Sequence, residues 1–429
     1  MSRPVRSVVL LLAAILIGGC GTASIPVATQ PTPASMRPTQ IGSSLPPCTT
    51  MTATGCDNNA IKDNGRGSPG CKGNGPGTLT ASPIALNDIA FIQPMGLEAG
   101  GHVTPIDHGY FYTKGAVATP PQQTPVYAPL TGNISTVSRT VRLGGQNNAP
   151  TYDDDAVTIE ATCTFRVRYS NLVRFAGGLA DAIGELPANQ TKDPNYAVKA
   201  GELIGYTGLP TAYGIDVWVE DDDVTLTGFI NPAQYTAAEV WKTHMVDLFD
   251  HTQEPLRGQL LALDERDATP RWGKTDYDID GRLIGNWFRV GSGGYRGLNP
   301  MNEGYWDGHL AVVPDGNDPG QIDVSIGNYQ GAARQFAVIG NSPDPATVAE
   351  SSGPVRYQLG FVETYSLTTG LRWDGKTYAP HVRTRASPGV IGTVLMQLMA
   401  ARSLKVEIFP GKTAIQVAGF DANAVMFER

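Results

Sequence analysis

The pattern of apolar and polar positions divides this chain of 429 residues into two strand-rich regions. From Ile84 to about Tyr235, short alternating segments are separated by turn residues. "PVYAPLTGNISTVSRTVRL" reads as strand, Thr-Gly-Asn turn and strand. "DAVTIEATCTFRVRYSNL" alternates over a long stretch, as a half-buried antiparallel pair does. "AVKAGELIGYTG" and "GIDVWVED" add two strands. "TAAEVWKTHMVDLF" predicts a helix and, with "EPLRGQLLALD", forms a helical linker over residues 236–268. A second strand-rich region follows over residues 269–429, with strands in "RLIGNWFRVG", "HLAVVPD", "QIDVSIGN", "AARQFAVIG", "VRYQLGFVETYSL" and "HVRTRA". In "GVIGTVLMQLMAARS", Val390, Val394, Leu395, Leu398 and Met399 stand near helical spacing and predict a helix. Strands in "LKVEIFPG" and "TAIQVAGF" close the chain. The fold class is therefore mainly β: an antiparallel-sheet domain over 84–235, then a β-rich domain that is barrel-like or a curved sheet with one helix. No repeat relates the halves.

Composition agrees: charged residues are 17%, with 50 Gly and 32 Pro, which favours short strands and turns over long helices. A net charge of −8 offers no basic footprint for a nucleic acid. At the N-terminus, Arg3 and Arg6 precede an apolar run, Val8 to Ile17, too short to span a bilayer comfortably. It ends in "LIGGC", which resembles a bacterial lipobox. That resemblance implies a signal peptide over residues 1–20, acylation of Cys20 and an extracytoplasmic protein anchored to the cell membrane. Residues 21–83 are rich in Pro, Thr, Gly and Asn and predict a disordered tether. Without Cys20 four cysteines remain, Cys48, Cys56, Cys71 and Cys163, which an oxidising compartment can join in three ways. No C-x-x-C pair exists, which argues against a zinc ribbon.

"GGHVTPIDHGYFY" (Gly100 to Tyr112) gathers His102, Asp107 and His108, all zinc-ligating residue types. "HVTPID", "TPVYAPLTGNIS", "VTIEATCTFRVRYSNL" and "VKAGELIGYTG" occur in the order of the motifs of the lysostaphin-type (LytM-like) zinc metallopeptidases, and the first domain resembles that family. The resemblance implies a duplicated-hybrid-motif fold, peptidoglycan as ligand or substrate, and zinc held by a His, an Asp and one member of an H-x-H pair. His102 and Asp107 stand at the first two positions. At the H-x-H positions this chain has Asp216 and Trp218, and at the histidine of "YxHL" it has Asn171. Indole has an N–H and no lone pair for a metal, and Asn cannot shuttle a proton near neutral pH. The site is therefore expected to be degenerate, with no catalytic residue assigned. His102, Asp107 and Asp216 are the candidates for a divalent metal such as zinc, and adjacent strand positions would turn His108 away from Asp107. The expected function is binding of an envelope ligand without catalysis. The alternatives are a metal-dependent endopeptidase with altered ligands, or a small-molecule carrier in the C-terminal domain.

Three further stretches carry candidate chemistry. "DYDIDG" (Asp276, Asp278, Asp280) copies the opening of a calcium loop but has Trp287 at the twelfth position, so an Asp-rich turn is expected. "GRLIGNWF" resembles the opening of calycin-like barrels, which implies that Trp287 plugs the barrel base. "NEGYWDGHL" (Glu303, Tyr305, Trp306, Asp307, His309) suits a ligand groove or a strand turn.

Overall fold

A computed structural model describes residues 66–118, 122–142, 152–208, 214–297, 304–379 and 381–429, with the short strand pair β1 (Met51–Thr52) and β2 (Gly55–Cys56). The segment expected to be a signal peptide, Cys20, Cys48 and the side chain of Cys56 lie outside the described residues. Pro46–Arg429 form one compact unit. Among the described residues no helix is long and apolar enough to cross a membrane.

The first region is an antiparallel sheet. Its strands are β3 (Ile89–Gln93), β4 (Gly109–Thr113), β5 (Thr124–Tyr127), β6 (Gly132–Arg142), β7 (Tyr152–Glu160) and β8 (Phe165–Phe175). They are followed by β9 (Gln190–Lys192), β10 (Tyr196–Val198), β11 (Leu203–Thr207) and β12 (Gly214–Asp221). The main order is β10-β6-β7-β8-β12-β4-β3, with β11 joining β5 to β8 and β9 beside β6. Period-two alternation sends Val157 and Ile159, Val167 and Tyr169, and Val217 and Val219 into one buried core. The intervening residues, Thr158, Arg168 and Trp218 among them, face the other way. In register they form one row across three strands, Thr158 opposite Arg168 and Arg168 opposite Trp218.

The second region closes on itself. It comprises β13 (Gly285–Arg289), β14 (His309–Pro314), β15 (Ile322–Tyr329), β16 (Ala332–Val338), β17 (Val355–Gly360), β18 (Val362–Ser366), β19 (Val382–Ala386), β20 (Gly392–Ala400), β21 (Ser403–Pro410) and β22 (Val425–Glu428). Among the described residues, eight of these form a closed barrel, β13-β14-β15-β16-β17-β20-β21-β22, and β18 pairs with β19 apart from it. Closure removes the exposed strand edges that an open sheet would have to protect. Leu310, Val312, Val324, Ile326, Tyr357, Met396 and Leu404 belong to one buried apolar cluster with Trp287. The Trp287 indole N–H donates to the Leu283 carbonyl at 2.8 Å, and the Arg429 guanidinium lies 4.0 Å from the ring centroid. Arg429 also donates to the carbonyls of Ile284, Ile279 and Arg282, so the cation seals the indole beneath it.

Four expectations are corrected. The helix expected at Gly389–Ser403 is strand β20, buried on both faces: Val394 and Met396 point into the barrel, while Leu395 packs on Phe409 and Val417. A strand covered on both sides reads as a continuous apolar run, which periodicity cannot separate from a buried helix. The long helix expected from Thr236 is a helical turn at Ala233–Thr236 and a 3-10 turn at Val240–His244. The final strand is Val425–Glu428, whereas "TAIQVAGF" holds only a 3-10 turn at Ala414–Gln416. The tether expected over 21–83 does not extend over residues 66–83, which pack on the first region. Arg66 pairs with Glu220 at 2.8 Å and with Asp222, Ser68 donates to Glu160, and Leu79 is buried.

Of the three possible pairings, the structure contains Cys71–Cys163, closing a loop across 92 residues. Gly67 lies against both cysteines, and a Cβ there would come within 2.9 Å of the Cys71 sulfur. Loops of this length restrict the unfolded chain strongly, so Cys71→Ser should lower stability by about 2–5 kcal/mol. Urea unfolding of the oxidised protein checks this, and mild reductant on the native sequence should reproduce the same loss.

Candidate functional site

Asp107 is the centre of a buried polar cluster on the outer side of the sheet. It sits in the bend before β4, only 5% exposed, and both of its oxygens are in use. Oδ1 accepts from the Trp218 indole N–H at 3.1 Å and from His108 Nδ1 at 2.9 Å. Oδ2 accepts from the Trp241 indole N–H at 2.9 Å, and Lys242 Nζ stands 3.4 Å away. Burial alone would push this carboxyl up, but Lys242, His108 and Trp241 outweigh it and hold Asp107 well below the usual carboxylate range. Lys242, itself 2% exposed, also lies 3.6 Å from Glu239 and 4.5 Å from the Tyr295 ring centroid.

His108 does not turn away from Asp107, as alternation implied. Regular strand geometry begins only at Gly109, and in the bend before it both side chains enter the same cluster. The imidazole stacks at 4.1 Å on Trp218, and its Nε2 points toward Asp216 at 3.9 Å. Asp216 in turn accepts from Asn171 Nδ2 at 2.8 Å and from the Ser170 hydroxyl at 2.9 Å. Burial pushes its carboxyl up, with the His108 charge opposing.

Asn171 has a backbone reason to be Asn. Between the pairs Asp155–Leu172 and Val157–Tyr169, β8 carries one residue more than β7. Asn171 takes up this bulge with φ of 65°, the left-handed region where Asn is favoured among non-glycine residues. Its backbone N–H donates to Asp154 and its carbonyl accepts from Thr207.

His108 stands between Asp107 and Asp216, and His102 meets this cluster through the His108 ring. His102 is largely exposed in a tight turn, its ring 5.9 Å from that of His108. A zinc ion needs free lone pairs on its ligands, and those of Asp107 face two indole donors, an imidazole and an ammonium. Among the described residues no three His, Cys, Asp or Glu side chains are grouped to hold an ion. The donor set present does not fit zinc.

The remaining motifs serve the architecture. Asp276 accepts from Gly228 N–H, Asp278 from Asn286 N–H, and Asp280 pairs with Arg402, so the three carboxylates of "DYDIDG" diverge. Glu303 lies outside the described residues. Trp306 packs on Gly101, Asp307 accepts from Asn328, and His309 is buried against Tyr295 and Phe288, so these side chains hold barrel and sheet together. Burial pushes His309 down to about 3, opposed by its hydrogen bond to the Tyr295 carbonyl.

Sequence reasoning missed Trp241, Lys242, Glu239 and Arg168. The first three were assigned to a bridging helix, and no motif marks them. Arg168 was legible as a polar position of β8, but its register opposite Trp218 was not.

Removing Asp107 should leave two indole N–H groups buried without an acceptor, and Lys242 with only the Glu239 carboxyl at 3.6 Å and the Tyr295 hydroxyl at 3.5 Å. Asp107→Ala is expected to cost about 3–5 kcal/mol in urea unfolding; an unchanged midpoint would mean that the cluster carries no stability. Glu239 supplies a pH test. Burial pushes its carboxyl from 4.5 up to about 7, with Lys242 opposing and Asp107 reinforcing. A folded value above the unfolded one contributes stability that is complete below pH 4.5 and lost as pH rises through about 7. Melting curves of Glu239→Gln between pH 5 and 8 should therefore lack that decline with rising pH.

No family model matches the chain, no curated protein is significantly similar to it, and no solved structure matches it.

Proposed function

We propose that this chain is an exported cell-envelope lipoprotein, anchored in the membrane through acylated Cys20. In this proposal its first domain is a lysostaphin-type scaffold that binds an envelope ligand such as peptidoglycan without cutting it. The proposal rests on one observation above all. Asp107, at the position of a family zinc ligand, spends its lone pairs on Trp218 and Trp241, and Trp218 itself stands at one H-x-H position. A hydrolase of this kind needs an open metal position and a proton shuttle. Asn171, engaged with Asp216 and held in a left-handed bulge, supplies no shuttle. Beside the cluster the outer face of the sheet carries a cavity lined by Thr, Ser and Arg side chains together with apolar ones, which suits binding. The carrier alternative has weaker support, because apolar side chains pack the barrel interior.

Metal analysis and cleavage assays test the proposal together. The purified full chain is expected to hold far less than one zinc per molecule after zinc incubation and dialysis. It should release no fragments from isolated peptidoglycan, yet co-sediment with that material in chelator. Stoichiometric zinc lost on His102→Ala, accompanied by cleavage, would overturn it in favour of a metal-dependent endopeptidase.

A further inference from the structure

Among the described residues, Arg168 is a cation on the outer face of the sheet whose donors the fold leaves unspent. Its guanidinium lies 4.9 Å from the ring centroid of Trp218 and 5.7 Å from that of Trp241. Both indoles direct their N–H groups to Asp107, so one buried carboxylate fixes the two rings that position the arginine. Cation–π contact orients a guanidinium but uses none of its five N–H donors. Among the described residues no carboxylate, carbonyl or hydroxyl accepts from them. By contrast, Arg66 and Arg166 on the same face are both paired with Glu220 and Asp222.

Arg168 lines a cavity of about 150 Å3 between β6, β7, β8 and the Val240–Trp241 turn. Thr136, Ser138, Thr158 and Thr191 line it too, and their hydroxyls have no hydrogen-bond partner among the described residues. Register explains the convergence: Trp218, Arg168, Thr158 and Thr136 are successive cross-strand neighbours on β12, β8, β7 and β6. The charge around the cavity limits what enters. The Arg66, Arg166, Glu220 and Asp222 network neutralises itself, and Glu160, held by Ser68, adds a negative charge nearby. One guanidinium matches one negative charge, and the repulsion from Glu160 is about twice as large for a dianion as for a monoanion.

We infer that this cavity is a carboxylate-binding site, in which the Arg168 fork takes a carboxylate of the ligand bidentately and the Thr and Ser hydroxyls bind its adjacent polar groups. The inference rests on the proposal that this face of the sheet receives an envelope ligand, and it names the group recognised. A peptide end and a sugar acid both present that chemistry.

Titration calorimetry on the full chain tests it with four probes: N-acetylalanine, its uncharged amide, glucuronate and inorganic phosphate. At least one carboxylate should bind, and the amide should bind about tenfold more weakly or not at all than N-acetylalanine where that acid binds. Tighter binding of N-acetylalanine assigns the site to a peptide end, and tighter binding of glucuronate assigns it to a sugar acid. Arg168→Gln should abolish the signal, while Arg168→Lys keeps part of it, as a point charge without the fork. Should Arg168→Gln fail to fold, Thr136→Val with Thr158→Val leaves the cation in place and should weaken binding about fivefold or more. Equal binding of acid and amide, phosphate binding more tightly than either carboxylate, no carboxylate binding to the native chain, or unchanged binding by a folded Arg168→Gln would each overturn the inference. Co-sedimentation with peptidoglycan separates it from the underlying proposal. Native-level co-sedimentation by Arg168→Gln overturns the carboxylate site alone. Carboxylate binding without any co-sedimentation overturns only the envelope ligand.

Discussion

A single buried carboxylate organises the outer face of this protein. Asp107 is deprived of water, and an ionised carboxyl in that position survives only if its lone pairs are matched by donors. Trp218 arrives from β12, Trp241 and Lys242 from the 3-10 turn after the sheet, and His108 from the neighbouring position in the same bend. Each brings its own backbone with it. The positions of the bend, the central strand and the connecting turn are therefore mutually dependent, and the two indole planes that result hold Arg168.

The same cluster joins the two halves of the fold. Lys242 faces Asp107 on one side and the ring of Tyr295, just beyond the first barrel strand, on the other. Around it, Gly101 admits Trp306 and Gln335 donates to the Gly100 carbonyl. A second junction forms beside strand β13. There Asp278 accepts from the backbone of Asn286 on β13 and of Ile230 in the segment after the sheet, and it stands 3.7 Å from Arg429. Burial pushes the Asp278 carboxyl up to about 6 against the opposing charge of Arg429. Both junctions contain polar, directional contacts that fix orientation, beside the apolar cluster that Phe229 and Tyr235 form with Phe288 and Tyr295.

Many strands of the first region were legible along the chain because core positions alternate with polar ones: Val157 and Val167 alternate with Thr158 and Arg168. Trp287 is buried in the barrel's apolar cluster, a position compatible with what the resemblance of "GRLIGNWF" to calycin-like barrels implied. β20 was not legible as a strand, since burial on both faces erases the alternation that marks one. The polar cluster was half legible. His102, Asp107, Asp216 and Trp218 were singled out by the resemblance to the lysostaphin-type family, but their chemistry depended on Trp241 and Lys242, which sequence places more than 130 residues from Asp107. Asn171 shows the opposite failure. As a missing histidine it spoke of lost catalysis, whereas its left-handed backbone ties it to the bulge.

The Cys71–Cys163 bond has a mechanical consequence. It makes a covalent ring that contains strands β3 to β7 and Asp107, while β8, β12 and the whole barrel belong to the chain that leaves the ring. Tension applied from the N-terminal side, as on an anchored chain, would cross from Cys71 to Cys163 and bypass the residues between. Load would then fall on β8 and the strands that follow, where Arg168 and Trp218 sit. Asp107 would hold them from within a ring that carries no force.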